Sequence, residues 1–148
     1  MDNKRVLPNN ILMGEVSKLV AEGESVTIMT KGSSMLPFIV GERDSVVMKR
    51  IDNLKPGMIV LAYVEGRRYV LHRIISINGD VVTLMGDGNI VGVEHCHIAD
   101  VKATATCIIR PSGVIDCQSM NHIRKAALWK SLLPVRRYLL AIYRRLFI

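Results

Sequence analysis

Short apolar runs broken by turn residues predict a mainly β fold, a curled antiparallel sheet or partial barrel, with one helix before it and a basic amphipathic helix after it. Two observations carry the sheet. β-branched and aromatic stretches recur between residues 25 and 117 with Gly, Pro, Asn or Asp between them, and Asn78-Gly79-Asp80 is a strong hairpin signal between two such stretches. A third observation sets the C-terminus apart. Residues 1–120 hold 13 Lys+Arg and 13 Asp+Glu, whereas residues 121–148 hold seven Lys+Arg and no acid, so the whole formal +7 lies in the tail. A neutral body offers no electrostatic case for nucleic acid. With 148 residues the chain is long enough for one domain with a proper core.

Taken in order, residues 1–10 carry two basic side chains and no apolar stretch long enough for a leader or a membrane anchor, so none is expected there. Residues 9–22 read as a helix, with Leu12, Val16, Leu19 and Val20 on one side and Glu15, Lys18 and Glu22 on the other. Asn9 or Asn10 can cap it and Gly23 can end it, and residues 1–24 are expected to pack on the domain that follows. Val26 and Ile28 then lead into Lys31-Gly32-Ser33-Ser34, and Met35-Leu36-Pro37 opens a second apolar run. The expected path is a strand, a tight corner at which Gly32 takes positive φ or admits another backbone, and an extended exit enforced by Pro37. Strands are predicted over residues 45–48, 58–64, 69–77, 81–85, 101–109 and 114–117 within a domain spanning 25–117. The remaining segment, 118–148, is an amphipathic helical tail. After Pro134, Val135, Tyr138, Leu139, Ile142, Tyr143 and Leu146 follow helical spacing, with Arg136, Arg137, Arg144 and Arg145 opposite. Its longest uncharged run, 138–143, is far short of the about 20 residues a bilayer span needs.

Three positions carry candidate chemistry. Ser34 stands at the sharp corner, His72 inside a strand run, and Asp87 in a glycine-bracketed turn, Gly86-Asp87-Gly88-Asn89. Singly, a serine-rich turn, a structural strand histidine and an Asx-turn aspartate are ordinary features. Jointly, Gly32-x-Ser34-Met35-x-Pro37, His72-Arg73-Ile74 and Gly86-Asp87-x-Asn89, in that order, resemble the type I signal peptidases and the related LexA-type self-cleaving repressors. The histidine-arginine pair is similar to the endoplasmic-reticulum and archaeal kind, which uses serine and histidine where most bacterial enzymes use serine and lysine. The resemblance covers about residues 26–111. It implies the curled sheet of those proteins, a Ser34 nucleophile, a His72 base, an acid that orients His72, and backbone oxyanion donors. Asp87 is the first choice of acid, Glu94 the alternative and Asp100 a third. Bacterial members place a serine two residues before the nucleophile where this chain has Gly32, so the oxyanion duty would fall to Ser34 N–H, aided by Ser33 and Met35.

A histidine base suits this chemistry on simple magnitudes. A lysine must lose its proton, and lowering its pKa from about 10.4 to 7 takes roughly 4.6 kcal/mol of desolvation, whereas histidine titrates near 6.5 and needs almost none. His72 would act as general base toward Ser34 and then as acid toward the leaving amine.

The sequence implies no cofactor. His95-Cys96-His97 sets two histidines on one face of any strand, too few for a structural zinc site, and a polar loop is the preferred reading. Cys96, Cys107 and Cys117, an odd number without paired spacing, read as reduced thiols of a cytoplasmic protein. The tail is expected to meet an anionic membrane surface through Trp129, Arg136, Arg137, Tyr138, Arg144 and Arg145, with self-association or packing on its own sheet as the competing roles and nucleic acid disfavoured. These features point to a serine endopeptidase cutting an extended peptide, peripheral on the inner membrane surface. A catalytically silent peptide-binding module of the same fold and a self-cleaving regulator are the alternatives.

Overall fold

The computed structural model describes residues 9–148. The leader reading of residues 1–8 and the capping roles of the Asn9 and Asn10 side chains lie outside the described residues. The elements run α1 (Asn9–Ala21), β1 (Val26–Met29), β2 (Ser45–Lys49), β3 (Ile59–Val64), β4 (Arg68–Asn78), β5 (Val81–Met85), β6 (Glu94–His97), β7 (Val101–Arg110), β8 (Gly113–Asp116), α2 (Met120–Ser131) and α3 (Arg136–Phe147). The architecture is mainly β, as the sequence predicts: one curled antiparallel half-barrel with a helix at each end of the chain.

Strand order is β1-β2-β7-β3-β4-β5-β6, and β8 continues beside β7 where β3 leaves off. Every pairing is antiparallel. β3 lies between β4 and β7, and its residues Ile59, Val60, Leu61, Ala62 and Val64 are all buried because the curl covers both faces. That explains why it reads as an unbroken apolar run. Ile59 and Leu61 join Val46, Met48, Ala105 and Ile108 in one core, to which α1 adds Met13, Val16 and Val20. Val60, Ala62 and Val64 join Val70, Ile74, Val82 and Leu84 in the second. Each fully buried aliphatic side chain contributes roughly 1.5–3 kcal/mol to folding.

α1 differs from its predicted face at two positions: Met13 is buried with Val16 and Val20, whereas Leu19 faces outward. Gly23, at φ +92°, ends the helix, with Gly23 N–H donating to Val20 O and Glu24 N–H to Leu19 O. The β4–β5 hairpin turns on Gly79 at φ +59° and Asp80, between the paired Asn78 and Val81. Residues 94–97 are the one misread segment of the sheet. They form β6 rather than a loop, hydrogen-bonded to β5 along an otherwise open edge, and their Glu-His-Cys-His composition lacks the apolar alternation that marks a half-buried strand. His95 bonds the Thr83 hydroxyl and His97 caps Ala99 N–H, so both rings serve the sheet edge. Cys96, Cys107 and Cys117 are free thiols, and burial pushes Cys117 up to about 12. No helix among the described residues is long and apolar enough to cross a membrane.

Candidate active site

The segment carrying Ser34 is a loop tied off at its neck. Thr30 and Asp44 are both buried, the Thr30 hydroxyl donates to Asp44 O at 2.8 Å, and Glu42 N–H donates to Thr30 O at 2.7 Å. The Asp44 carboxylate accepts from Val40 N–H at 2.8 Å and from Arg43 Nε at 2.8 Å. Burial alone would raise its pKa, but those donors outweigh it and hold the group below the usual carboxylate range. Inside the neck Gly32 takes φ +76°, and the Gly41 backbone passes so close that a Cβ there would sit 2.2 Å from Gly32 O. Gly32 thus does both things its position allows, turning the chain and admitting a second backbone.

Beyond Ser34 the expected extended exit is absent. Residues 34–38 form consecutive turns, with Phe38 and Ile39 N–H both donating to Met35 O. The turn buries Met35, Leu36 and Ile39 together, which an extended strand with alternating faces would not do. Ser34 is half-buried, Ser33 is exposed, and among the described residues the Ser34 and Met35 N–H groups make no main-chain bond.

This turn rests on the one that follows β5. Gly88 N–H donates to Ser34 O at 2.8 Å, and Asp87 N–H approaches Met35 Sδ at 3.5 Å. A Cβ on Gly86 would lie 2.3 Å from Ser34 O, and one on Gly88 would lie 2.2 Å from Ser33 O. Glycine is required at both positions because the two turns touch backbone to backbone.

His72 and Arg73 are neighbours on β4 and therefore point to opposite faces. Arg73 is buried and forks onto Asp87, with Nε–Oδ1 at 2.8 Å and Nη2–Oδ2 at 2.7 Å, while Nη1 donates to Gly57 O at 2.8 Å. Its guanidinium stacks 4.9 Å from the Phe38 ring centroid. Asp87 therefore serves Arg73 and does not orient His72, contrary to the first sequence choice. The alternative acid does: Glu94 Oε1 lies 2.5 Å from His72 Nδ1. The register explains the exchange. Ile74 pairs with Leu84 and Leu84 with Glu94, so Glu94 shares a face with Ile74 and hence with His72, two residues away along β4. Asp100 lies in the short 3-10 turn after β6 and takes no part.

On its other side β4 pairs with β3, where His72 lies opposite Val60 and Arg73 opposite Ile59. With Nδ1–H directed at Glu94, Nε2 is the nitrogen left to accept a proton. Among the described residues the Ser34 hydroxyl itself makes no hydrogen bond, to His72 or to any other group.

The C-terminal helices supply residues to this region that the sequence reading assigned elsewhere. Trp129 Nε1–H donates to Asp87 O at 2.8 Å, and Arg136 Nη1 donates to Asn89 O at 3.0 Å. Arg136 is 3% exposed and lies 5.2 Å from the Trp129 ring centroid. Burial, as its largest influence, lowers the Arg136 pKa. Both residues face inward and hold the Gly86–Asn89 turn, which corrects their expected place at a membrane. Arg137, Tyr138, Arg144 and Arg145 are exposed. His122, also unforeseen, is buried edge-on to Phe38 with Nε2 3.4 Å from Arg73 Nη1. Burial first and the Arg73 charge second lower its pKa to about 4, so it is neutral at pH 7 and accepts from the arginine.

A separate hollow of about 980 Å³ opens on the Arg73 face, between α2 and the β2–β3 connection, with Met58, Ile123, Ala126 and Arg136 among its walls; Ser34 and His72 do not line it. No protein-family model matches the chain, and no curated protein matches it.

Proposed function

We propose that the protein is a serine endopeptidase in which Ser34 is the nucleophile, His72 the general base and Glu94 the acid that orients it. Two observations support the reading: the buried His72 has the Glu94 carboxylate at Nδ1, and the Ser34 turn rests backbone to backbone on the Gly86–Gly88 turn that follows β5, the strand paired with β4. A carboxylate on Nδ1 fixes the tautomer and stabilises the imidazolium formed when Nε2 takes the serine proton. Ser34 and Met35 N–H groups, left without main-chain partners, would receive the developing oxyanion. The Ser34–His72 hydrogen bond is then formed on substrate binding, since catalytic hydrogen bonds are often long in a free enzyme. The substrate is an extended peptide lying beside the Ser34 turn, and no cofactor is involved. The enzyme acts in the cytoplasm, held at the inner membrane surface by its C-terminal helix.

A second reading is favoured by the unpartnered Ser34 hydroxyl: a peptide-binding module of the same fold that does not cleave. A serine-directed fluorophosphonate separates the two. The peptidase reading expects covalent labelling at Ser34 that disappears in Ser34→Ala and slows by about 10²- to 10⁴-fold in His72→Ala. Labelling that survives Ser34→Ala, or a wild type that binds peptide without ever reacting, rejects the peptidase.

A further inference from the structure

The last helix has two sides with different employment. Arg136, Leu140 and Tyr143 follow i, i+4, i+7 spacing and face the protein: Arg136 holds Asn89, Leu140 is 2% exposed, and Tyr143 reaches Arg43. Tyr138, Ile142 and Leu146 follow i, i+4, i+8 spacing and are 63%, 56% and 69% exposed. Val135, at the start of the helix, extends the same stripe and is exposed as well. An amphipathic helix ordinarily buries its apolar stripe on its own domain. Here the packing role is already taken by the other stripe, so three large apolar side chains remain in water beside Arg137, Arg144 and Arg145.

Charge decides what covers that stripe. A second copy docking symmetrically would bring the same patch against itself. Residues 121–148 contain seven cations and no acid, so such a pairing would set arginines against arginines with no carboxylate between them. The surface that complements apolar side chains flanked by cations is an anionic bilayer, whose headgroups take the arginines while the acyl boundary takes the stripe. Twelve residues of helix are about 18 Å long, enough to lie along the interface and too short to cross it.

We infer that the outward stripe of α3, Tyr138, Ile142 and Leu146 with Arg137, Arg144 and Arg145, docks the protein on anionic lipid. This specifies the membrane attachment in the proposed function and is independent of the Ser34 chemistry. Trp129 and Arg136 stay inside, holding the turn under Ser34, and do not enter the bilayer.

The test is co-sedimentation of the full chain with vesicles of phosphatidylcholine alone or with 30% phosphatidylglycerol as a roughly physiological anionic fraction. Pelleting is expected with the anionic vesicles only and is expected to weaken at high salt. Replacing Arg137, Arg144 and Arg145 together by Gln should weaken binding by roughly 100-fold. Replacing Tyr138, Ile142 and Leu146 together by Ser should weaken it to a similar degree, with the thermal midpoint of both variants near that of the parent because these side chains are mostly exposed. Undiminished pelleting of both variants, equal pelleting on neutral vesicles, or a dimer in sedimentation that the Ser variant abolishes would each overturn the inference. Fluorophosphonate labelling of Ser34 in the same variants, measured without lipid, separates a failure of docking from a failure of the peptidase reading.

Discussion

Gly86→Ala is the sharpest test of how Ser34, the proposed nucleophile, is placed. The added methyl would sit 2.3 Å from Ser34 O and 2.8 Å from the Asn89 amide nitrogen, and the first of these is backbone that no rotamer change can remove. Ordinary non-bonded contact is about 3.5–4.0 Å, so the turn beneath must withdraw from the Ser34 turn by roughly 1 Å. Such overpacking typically costs about 1–3 kcal/mol. The shift is expected to weaken the Gly88 N–H to Ser34 O bond and to displace the serine. Gly14→Ala is the control. Gly14 lies within α1, a Cβ there would meet only the Tyr69 hydroxyl at 3.8 Å, and alanine is favoured over glycine in a helix by about 1 kcal/mol. Urea titration should therefore show Gly86→Ala destabilised and Gly14→Ala stabilised, with fluorophosphonate labelling slowed only in the former. A Gly86→Ala protein with parental stability and parental labelling would show that the two turns are not in backbone contact.

The two candidate acids should separate by assay. Asp87→Asn leaves the buried Arg73 without its carboxylate and should cost about 3–5 kcal/mol in urea titration, whereas Glu94→Gln should fold normally and lower turnover by about 100-fold or more. The reverse pattern would return Asp87 to the role of orienting acid. His122 makes stability depend on pH. Its folded pKa, about 4, lies below the ordinary 6.5, so as pH falls the unfolded chain takes up this proton first. The contribution is whole above pH 6.5 and is lost between 6.5 and 4, on the order of 3 kcal/mol in total. Urea midpoints measured across that window should fall more steeply in the parent than in His122→Phe, and parallel profiles would place the ring in water.

Local chemistry made much of this architecture legible. Asn78-Gly79-Asp80 marks a hairpin, Gly23 marks a helix end, and β-branched runs mark strands, because each is set by the φ preferences and branching of the residues themselves. The neighbourhood of Ser34 was legible for the same reason at Gly32, whose positive φ the corner requires. Strand β6 was not, since its pairing depends on a partner already in place and its polar residues carry no signal of their own.

What the chain alone determined is the set of elements, the concentration of positive charge at the C-terminus, and the residue types available for proton transfer. Which acid meets which base was decided only by the fold. Asp87 and Glu94 are both within reach of the β4 strand by connectivity, and strand register, a three-dimensional quantity, sends Asp87 to Arg73 on one face and Glu94 to His72 on the other. The same holds for Trp129 and Arg136, whose amphipathic spacing fits a membrane equally well, until packing shows that the carbonyls of Asp87 and Asn89 already occupy their donors. Helical spacing identifies a stripe; only its neighbours in space reveal whether it faces the protein or the world outside it.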